Sequence, residues 1–493
     1  MTSASRLQGD EIRTGEAAPR FVVVGGGITG LAAARRLALL APEAVITLIE
    51  REKRLGGKIV TERVDGFTIE GGPDSFLSVK PRGIGLCEEL GLGDQLQGTD
   101  ERHRRTFVMK AGRLQRLPEG LTGLIPSRLG PMARTGLISP LGKARMALDF
   151  LLPRKRDERD ETLAAFIERR LGREVYDRLI EPLMAGIYAG DGHQLSLAAT
   201  FPQLRTGEVR HGGLIKGVLA AKRAGPIRDP AAPTRPPFLS PRDGMDALVA
   251  AMEADLRDRG CQLITGVAVT EIGQDPGSSA YRLRLGDGRI LTAAGVLLAT
   301  PAFAAADLLD GLDPGVAVAL RAIPHVSTTT VSVAYQAVDL PRPLDGYGYV
   351  VPRIEGRPVL ACTWTSSKWH HRAPDDHVLI RGFVGRAGQE AVLSGSDAEL
   401  LALVREEFRQ MLGITAEPLL HRVFRWPQGM PQYTLGHLDR VAAVEARLAA
   451  WPGLLVAGHA YRGVGIPDCI RSGETAAEQV LAAVQAARSR EAA

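Results

Sequence analysis

The chain first becomes regular at Phe21-Val-Val-Val24, apolar at every position, and breaks at Gly25-Gly-Gly27-Ile-Thr-Gly30. A short, unbroken β-branched run ending in glycine predicts a strand buried on both faces. The Ala- and Leu-rich segment from Leu31 predicts the helix that follows. Val45–Ile49, Gly295–Thr300 and the run from Leu454 have the same character and predict further buried strands. Helical spacing returns over Lys143–Leu152, over a segment that Thr162 can cap and Gly172 stop after Leu171, over Arg173–Met184 and over Gly244–Leu256. Leu263–Ile272, Tyr281–Leu285 and Ile290–Thr292 read as strands, and residues near 310–440 alternate strands and loops, most clearly at Ser327–Tyr335. At the C-terminus a strand, a glycine-rich loop from Gly458 to Gly465 and a helix with Pro467 in its first turn follow one another. Strands alternating with helices predict an α/β chain (α+β overall), and the Pro-rich stretch 225–237 predicts a boundary or surface loop.

Length and charge refine this pattern. A chain of 493 residues predicts two or three domains. Residues 1–20 are polar and mixed in charge, which predicts a frayed tail without the apolar segment of a signal peptide. No run is long and apolar enough for a membrane-spanning helix. Cys87, Cys261, Cys362 and Cys469 are scattered without metal-ligand spacing, so neither a structural metal nor a disulfide framework is expected, and the compartment reads as cytoplasmic. The net charge of +5 hides an asymmetry: residues 101–156 hold thirteen Lys/Arg against three Asp/Glu, a balance of +10, which leaves −5 for the rest. Three readings stay open for this stretch: a solvated surface, a peripheral contact with an anionic membrane face, or a funnel for a polyanionic small substrate. The low aromatic content, 5%, leaves no stacking platform for nucleic acid.

The glycines carry the first candidate chemistry. Gly25, Gly27 and Gly30 give G-x-G-x-x-G between predicted strand and helix, the context a dinucleotide fingerprint requires. Gly25 permits the turn, Gly27 lets backbone approach a pyrophosphate, Gly30 lets the helix pack, and the helix N-terminus faces the phosphate charge. Glu50, twenty residues after Gly30, ends the next strand and can accept from ribose hydroxyls. Arg54-Leu-Gly-Gly57-Lys58 and Gly66-Phe-Thr-Ile-Glu-Gly71-Gly72-Pro73-Asp74-Ser75-Phe76 follow. This arrangement resembles the FAD-dependent amine oxidase superfamily, in which FAD lies extended through a Rossmann-like domain. His459, in the C-terminal glycine loop, reads as a packing or hydrogen-bonding residue before a catalytic one.

A narrower resemblance rests on residues beyond the fingerprint. Gly142-Lys-Ala-Arg145, Leu179-Ile-Glu-Pro-Leu183, Gly186-Ile-Tyr-Ala-Gly190, Thr200-Phe-Pro202, Arg425-Trp-Pro427, Met430-Pro-Gln-Tyr433 and Gly465-Ile-Pro-Asp-Cys-Ile470 make the chain similar to the coproporphyrinogen III oxidase/protoporphyrinogen oxidase family, and most to its Gram-positive branch. The resemblance implies a discontinuous Rossmann-like FAD domain (21–98, 239–305, 441–486), a helical subdomain that can touch membrane (99–208) and an inserted mixed-sheet substrate domain (209–238, 306–440). It implies one non-covalent FAD per chain, a tetrapyrrole substrate, O₂ as acceptor, a transient contact with the next haem-pathway enzyme, and a cytoplasmic location at or near the inner face of the membrane. The flavin positions it implies are Gly25, Gly26, Gly27, Ile28, Thr29, Gly30, Glu50, Arg51, Gly57, Lys58, Gly72, Pro73, Asp74, Ser75, Val269, Trp426, Gly465, Ile466 and Pro467. Gly186 matches a glycine that orients the tetrapyrrole. Asp74 stands where the animal branch has arginine. Arg102 and Arg105 are candidates for pairing with substrate carboxylates, against the plainer reading of surface arginines. The family's six-electron oxidation with H₂O₂ release asks little of side chains, because the flavin carries the redox step.

Overall fold

The computed structural model describes residues 18–491 except 123–124, 127, 158, 225–234 and 275–278. The predicted tail up to residue 17 and most of the Pro-rich stretch lie outside the described residues.

Five short strands form a parallel sheet in the order Gln262–Thr265, Val45–Glu50, Arg20–Val24, Gly295–Leu298, Leu454–Val456. Phe21 and Val23 face one core, with helices Ile28–Leu40, Asp246–Asp258 and Ile466–Glu491; Val22 and Val24 face the other, with helices Ala302–Leu309, Pro314–Arg321 and His437–Leu448. Burial on both faces is why Phe21–Val24 and Gly295–Leu298 are apolar throughout instead of alternating, whereas the edge strand Gln262–Thr265 is polar and exposed at its ends. The segment expected as one strand, Leu263–Ile272, is two: Gly266 turns the chain at φ 74°, and Val269–Gln274 begins an antiparallel pairing with Tyr281–Leu285.

A second sheet has seven strands in the order Leu420–Pro431, His325–Gln336, His377–Val384, Val359–Trp364, Gly348–Val350, Thr106–Lys110, Arg113–Arg116. Val331, Val333 and Tyr335 pack towards helix Asp397–Leu412, while Ala334 meets Phe67 and Ile69 of the hairpin beside the glycine loops. The sheet's two last strands come from the start of the segment expected to be helical, 99–208. There Phe107 and Met109 join the sheet core and Val108 the helical core, an alternation that only a strand can give.

The helical part holds the predicted boundaries where a cap fixes them. Thr162 accepts from the Ala165 N–H, and Gly172, at φ 94°, ends the helix Leu163–Leu171. The next helix is not continuous. It widens to a π-turn over Tyr176–Ile180 before Glu181–Tyr188, because Pro182 has no N–H to offer and its ring crowds the preceding turn. Helices Pro202–His211 and Leu214–Ala224 then pack closely where Gly207 meets Gly217, so helical structure extends past residue 208. A fully buried Arg170–Asp149 pair joins these pieces, the Asp149 carboxylate also accepting from the Leu214 and Ile215 N–H groups at 3.2 and 2.8 Å. Among the described residues no helix is long and apolar enough to cross a membrane, and no group of three His, Cys, Asp or Glu could hold a metal ion.

Candidate cofactor and substrate site

In open parallel sheets, ligands bind beyond the carboxyl ends of the strands. Here those ends are Val24, Glu50, Leu298 and Val456, and the loops leaving them converge. Gly25 adopts φ 106°, and its N–H donates to the Ile49 carbonyl at 2.8 Å. A Cβ on Gly30 would stand 1.9 Å from the Gly25 carbonyl oxygen, so the helix can start this close to the turn only as glycine. The N–H of Gly26 donates to Glu50 Oε2 at 2.6 Å, and Glu50 Oε1 accepts from the Glu52 N–H at 2.9 Å. Glu50 is thus fixed at the carboxyl end of an inner strand, with lone pairs that could accept from ribose hydroxyls. Ile28 and Thr29 are buried in the first turn of the helix, against the C-terminal helix.

The second glycine loop leans on the first. Gly57 packs its backbone against Gly27, and Arg54 donates to the Gly57 carbonyl at 2.6 Å. A Cβ on Gly72 would stand 1.8 Å from the Lys58 carbonyl oxygen. The Gly71 carbonyl accepts from Thr330 Oγ1 (3.0 Å), the buried Arg381 guanidinium (3.0 Å) and Trp426 Nε1 (2.9 Å), and Arg381 also reaches the Gly72 carbonyl at 2.6 Å. After Pro73, Asp74 accepts from Lys368 Nζ at 2.8 Å, Trp369 Nε1 at 3.2 Å and the Ser75 hydroxyl at 2.7 Å. Burial works to raise this carboxyl, but the Lys368 ammonium, Ser75 and Arg381 together hold it well below the usual range. The Asp74 side chain is therefore a tie between the glycine loop and the seven-stranded sheet.

The third wall is C-terminal. Gly463 (φ 107°) and Gly465 precede Ile466 and Pro467 at the start of the long helix. The Tyr433 hydroxyl donates to the His459 carbonyl at 2.6 Å and accepts from the Gly463 N–H at 2.8 Å, which sets this loop. Tyr188, at the end of helix Glu181–Tyr188, packs its ring on Tyr433 at 5.9 Å, so the helix bearing Gly186 abuts the same loop. Gly186 is exposed, and a Cβ there would meet nothing within 4 Å.

The structure thus gathers Gly25 to Gly30, Glu50, Gly57, Lys58, Gly72 to Ser75, Trp426, Gly465 to Pro467 and the Gly186 helix around one crevice. Val269 begins the antiparallel strand two residues after Val267, whose N–H donates to the Glu50 carbonyl at 3.2 Å, and it packs partly against the second core of the parallel sheet. Arg51 is exposed and lies beside Glu52. Arg105 is elsewhere. It pairs with Asp345 at the far side of the seven-stranded sheet, about 24 Å from Trp426 across five strand spacings, and Arg102 pairs with Asp100. The motifs did not reveal Arg381 or Lys368, because each lies in an unremarkable strand or turn and acquires its role only through sheet pairing.

The crevice fits FAD. Its floor is glycine backbone that admits a pyrophosphate, and the buried Thr300 Oγ1, beside Gly25, and His325 Nε2, beside His459, have no protein partner. Buried polar atoms are rarely left without a partner, so these point to a ligand with its own donors and acceptors.

The family model of flavin containing amine oxidoreductases matches residues 28–481. The coproporphyrinogen III oxidase of Bacillus subtilis (strain 168) is 37% identical over 93% of this chain and 97% of its own length. The chloroplastic protoporphyrinogen oxidase of Oryza sativa subsp. japonica is 32% identical, covering 93% and 87%. A crystal structure from Exiguobacterium sp. 255-15, described only provisionally as a protoporphyrinogen oxidase, superposes with a TM-score of 0.83 at 36% identity, covering 94% of this chain and 99% of that one. The chain belongs to the flavin containing amine oxidoreductases and, within them, to the coproporphyrinogen/protoporphyrinogen oxidase family; it is an FAD-dependent oxidoreductase.

Proposed function

We propose that this flavoprotein oxidises coproporphyrinogen III to coproporphyrin III, passing six electrons in three rounds to three O₂ and releasing three H₂O₂. The likeness to the Bacillus subtilis enzyme across nearly the full length of both chains carries this reading. FAD, when bound, supplies the two-electron acceptor. The chain's residues do the rest by placement. The first glycine turn and the helix it opens receive the pyrophosphate, and Glu50 receives the ribose. Arg381, Thr330 and Trp426 hold the second turn rigid through the Gly71 and Gly72 carbonyls. The N-terminus of the helix at Ile466 favours negative charge beside it, and so favours electron acceptance. Gly186 leaves room against its helix for a flat macrocycle. Cys469 is buried and its thiol is pushed up to about 11 by desolvation, which makes it a poor nucleophile and supports non-covalent FAD.

We assign 21–98, 239–305 and 441–486 to cofactor binding, and the seven-stranded sheet with the helical part to the substrate side. The basic stretch 101–156 spends several cations internally: Lys110 on the Gly136 and Leu137 carbonyls, Arg145 on those of residues 168–170, Lys143 on Ala133. Leu141 and Leu151 nearby are each about four-fifths exposed, which supports a peripheral lipid contact more than a substrate funnel.

Protoporphyrinogen IX is the second reading, supported by the likeness to the Oryza sativa enzyme. Aerobic porphyrin fluorescence with FAD-loaded protein, on both porphyrinogens and against enzyme-free blanks, separates them. A kcat/KM preference for coproporphyrinogen III is expected. The reverse preference supports the second reading, and no turnover above the blanks overturns both.

A further inference from the structure

Lys58 extends from the second glycine loop to a histidine. Its Nζ lies 2.8 Å from His459 Nε2, and among the described residues no carboxylate pairs with it. The two side chains come from opposite walls of the crevice, 401 residues apart in sequence. The His325 ring stands edge-on to His459 at 6.4 Å and to Phe303 at 5.2 Å, closing off the pair on one side.

We propose that Lys58 and His459 form a proton-holding pair facing the flavin, in which the ammonium donates to a neutral imidazole, and which in alkaline solution takes up a proton of its own when the flavin is reduced. The inference rests on FAD occupying the glycine crevice.

The chemistry around the pair supports a single exchangeable proton. Burial pushes Lys58 down to about 8. Burial, Lys58 and His325 push His459 well below its ordinary value, so the imidazole is neutral and Nε2 accepts. Other groups facing the pair carry no net charge. His325 is lowered by burial, the Cys469 thiol is raised to about 11, and the Tyr433 phenol is raised well above its usual range. Lys80 and Asp468 pair with each other at the start of the C-terminal helix. Two electrons and one proton delivered to a flavin leave it with a negative charge. That charge favours the protonated form of an amine beside it. Below pH about 8, Lys58 already holds its proton and reduction takes up one proton per two electrons. Above it, the ring takes one proton and the Lys58 amine a second. The electrons come from the porphyrinogen, or in a titration from the chemical reductant.

The test is the proton-to-electron ratio, read from the pH dependence of the flavin midpoint potential by dye equilibration between about pH 6 and 10 on purified holoenzyme. The wild type is expected to change from one proton to two near pH 8. Lys58→Met and Lys58→Arg, the first without charge and the second with a charge that does not titrate, are expected to hold at one throughout. His459→Ala removes the acceptor that stabilises the ammonium, so its break is expected at lower pH. One constant ratio in the wild type, a break that persists in Lys58→Met or Lys58→Arg, or an unmoved break in His459→Ala overturns the pair. If either lysine variant purifies without flavin, the wild type and His459→Ala decide. Wild-type protein that binds no FAD overturns the cofactor reading and the pair with it.

Discussion

Two kinds of glycine meet at this site. Gly30 and Gly72 are enclosed: a Cβ on either would overlap a backbone carbonyl oxygen, at 1.9 and 1.8 Å. Gly186 is the reverse, exposed with nothing within 4 Å of a Cβ. The enclosed glycines are required by the protein's own packing, which brings backbone together where the cofactor is proposed to lie. The protein does not require the open one for its own packing, so its lack of a side chain matters only if something else comes to lie there. The region proposed to hold the cofactor is built from backbone constraint, and the region proposed to take the substrate from space left open.

Gly30→Ala should test the enclosed class most severely. Its methyl has no soft neighbour to displace, so the turn or the helix must shift, at about 3 kcal/mol or more. Purified protein should show little bound flavin by its absorbance ratio and a lowered Tm. Retention of full flavin would show that the turn yields more easily than its geometry implies.

Asp74 tests whether the enclosed half depends on the seven-stranded sheet for its shape. Asp74→Asn leaves Lys368 without its carboxylate and should cost about 2–3 kcal/mol at pH 7 in urea unfolding. The folded state holds this carboxyl below its usual range, so its contribution is complete above the unfolded value of about 3.9 and falls away as pH drops below it. The gap between wild type and variant should therefore narrow below pH about 4. A gap that stays constant with pH would assign the loss to packing.

The two halves also differ in how far the sequence reveals them. The cofactor turn was legible because one local motif, strand, glycines and helix, contains nearly all of its geometry, and Glu50 follows at a fixed distance. Thr162 and Gly172 were legible as helix ends for the same reason. The seven-stranded sheet was not. Thr106–Lys110 pairs with Gly348–Val350, more than two hundred residues away, and no local pattern announces a partner at that range. Arg381 was hidden likewise, because it touches Gly71 only after its strand pairs with His325–Gln336. The π-turn before Pro182 was half legible: the proline was visible, but apolar spacing alone read the helix as unbroken.

Gly186→Leu sharpens the comparison from the open side. Fold and flavin content should stay near wild type, because the side chain enters empty space. Porphyrinogen kcat/KM should fall by about tenfold to a hundredfold, equivalent to about 1.4–2.7 kcal/mol of lost transition-state stabilisation. If Tm falls as far as in Gly30→Ala, the two glycines belong to one class after all.

Arg105→Ala should have the smallest effect. Arg105 was a candidate partner for substrate carboxylates that no motif placed, and its guanidinium is already paired with Asp345 beside the sixth strand of the sheet, counted from the one that bears Trp426. Both partners are roughly half exposed, so the pair itself is worth little, typically under about 1 kcal/mol. With coproporphyrinogen III, kcat/KM should change less than about twofold and flavin content not at all. A loss of tenfold or more, confined to KM and growing as ionic strength falls, would mean that the substrate's carboxylates reach across the sheet. The open half would then extend well beyond the space beside Gly186, with charge as well as emptiness defining it.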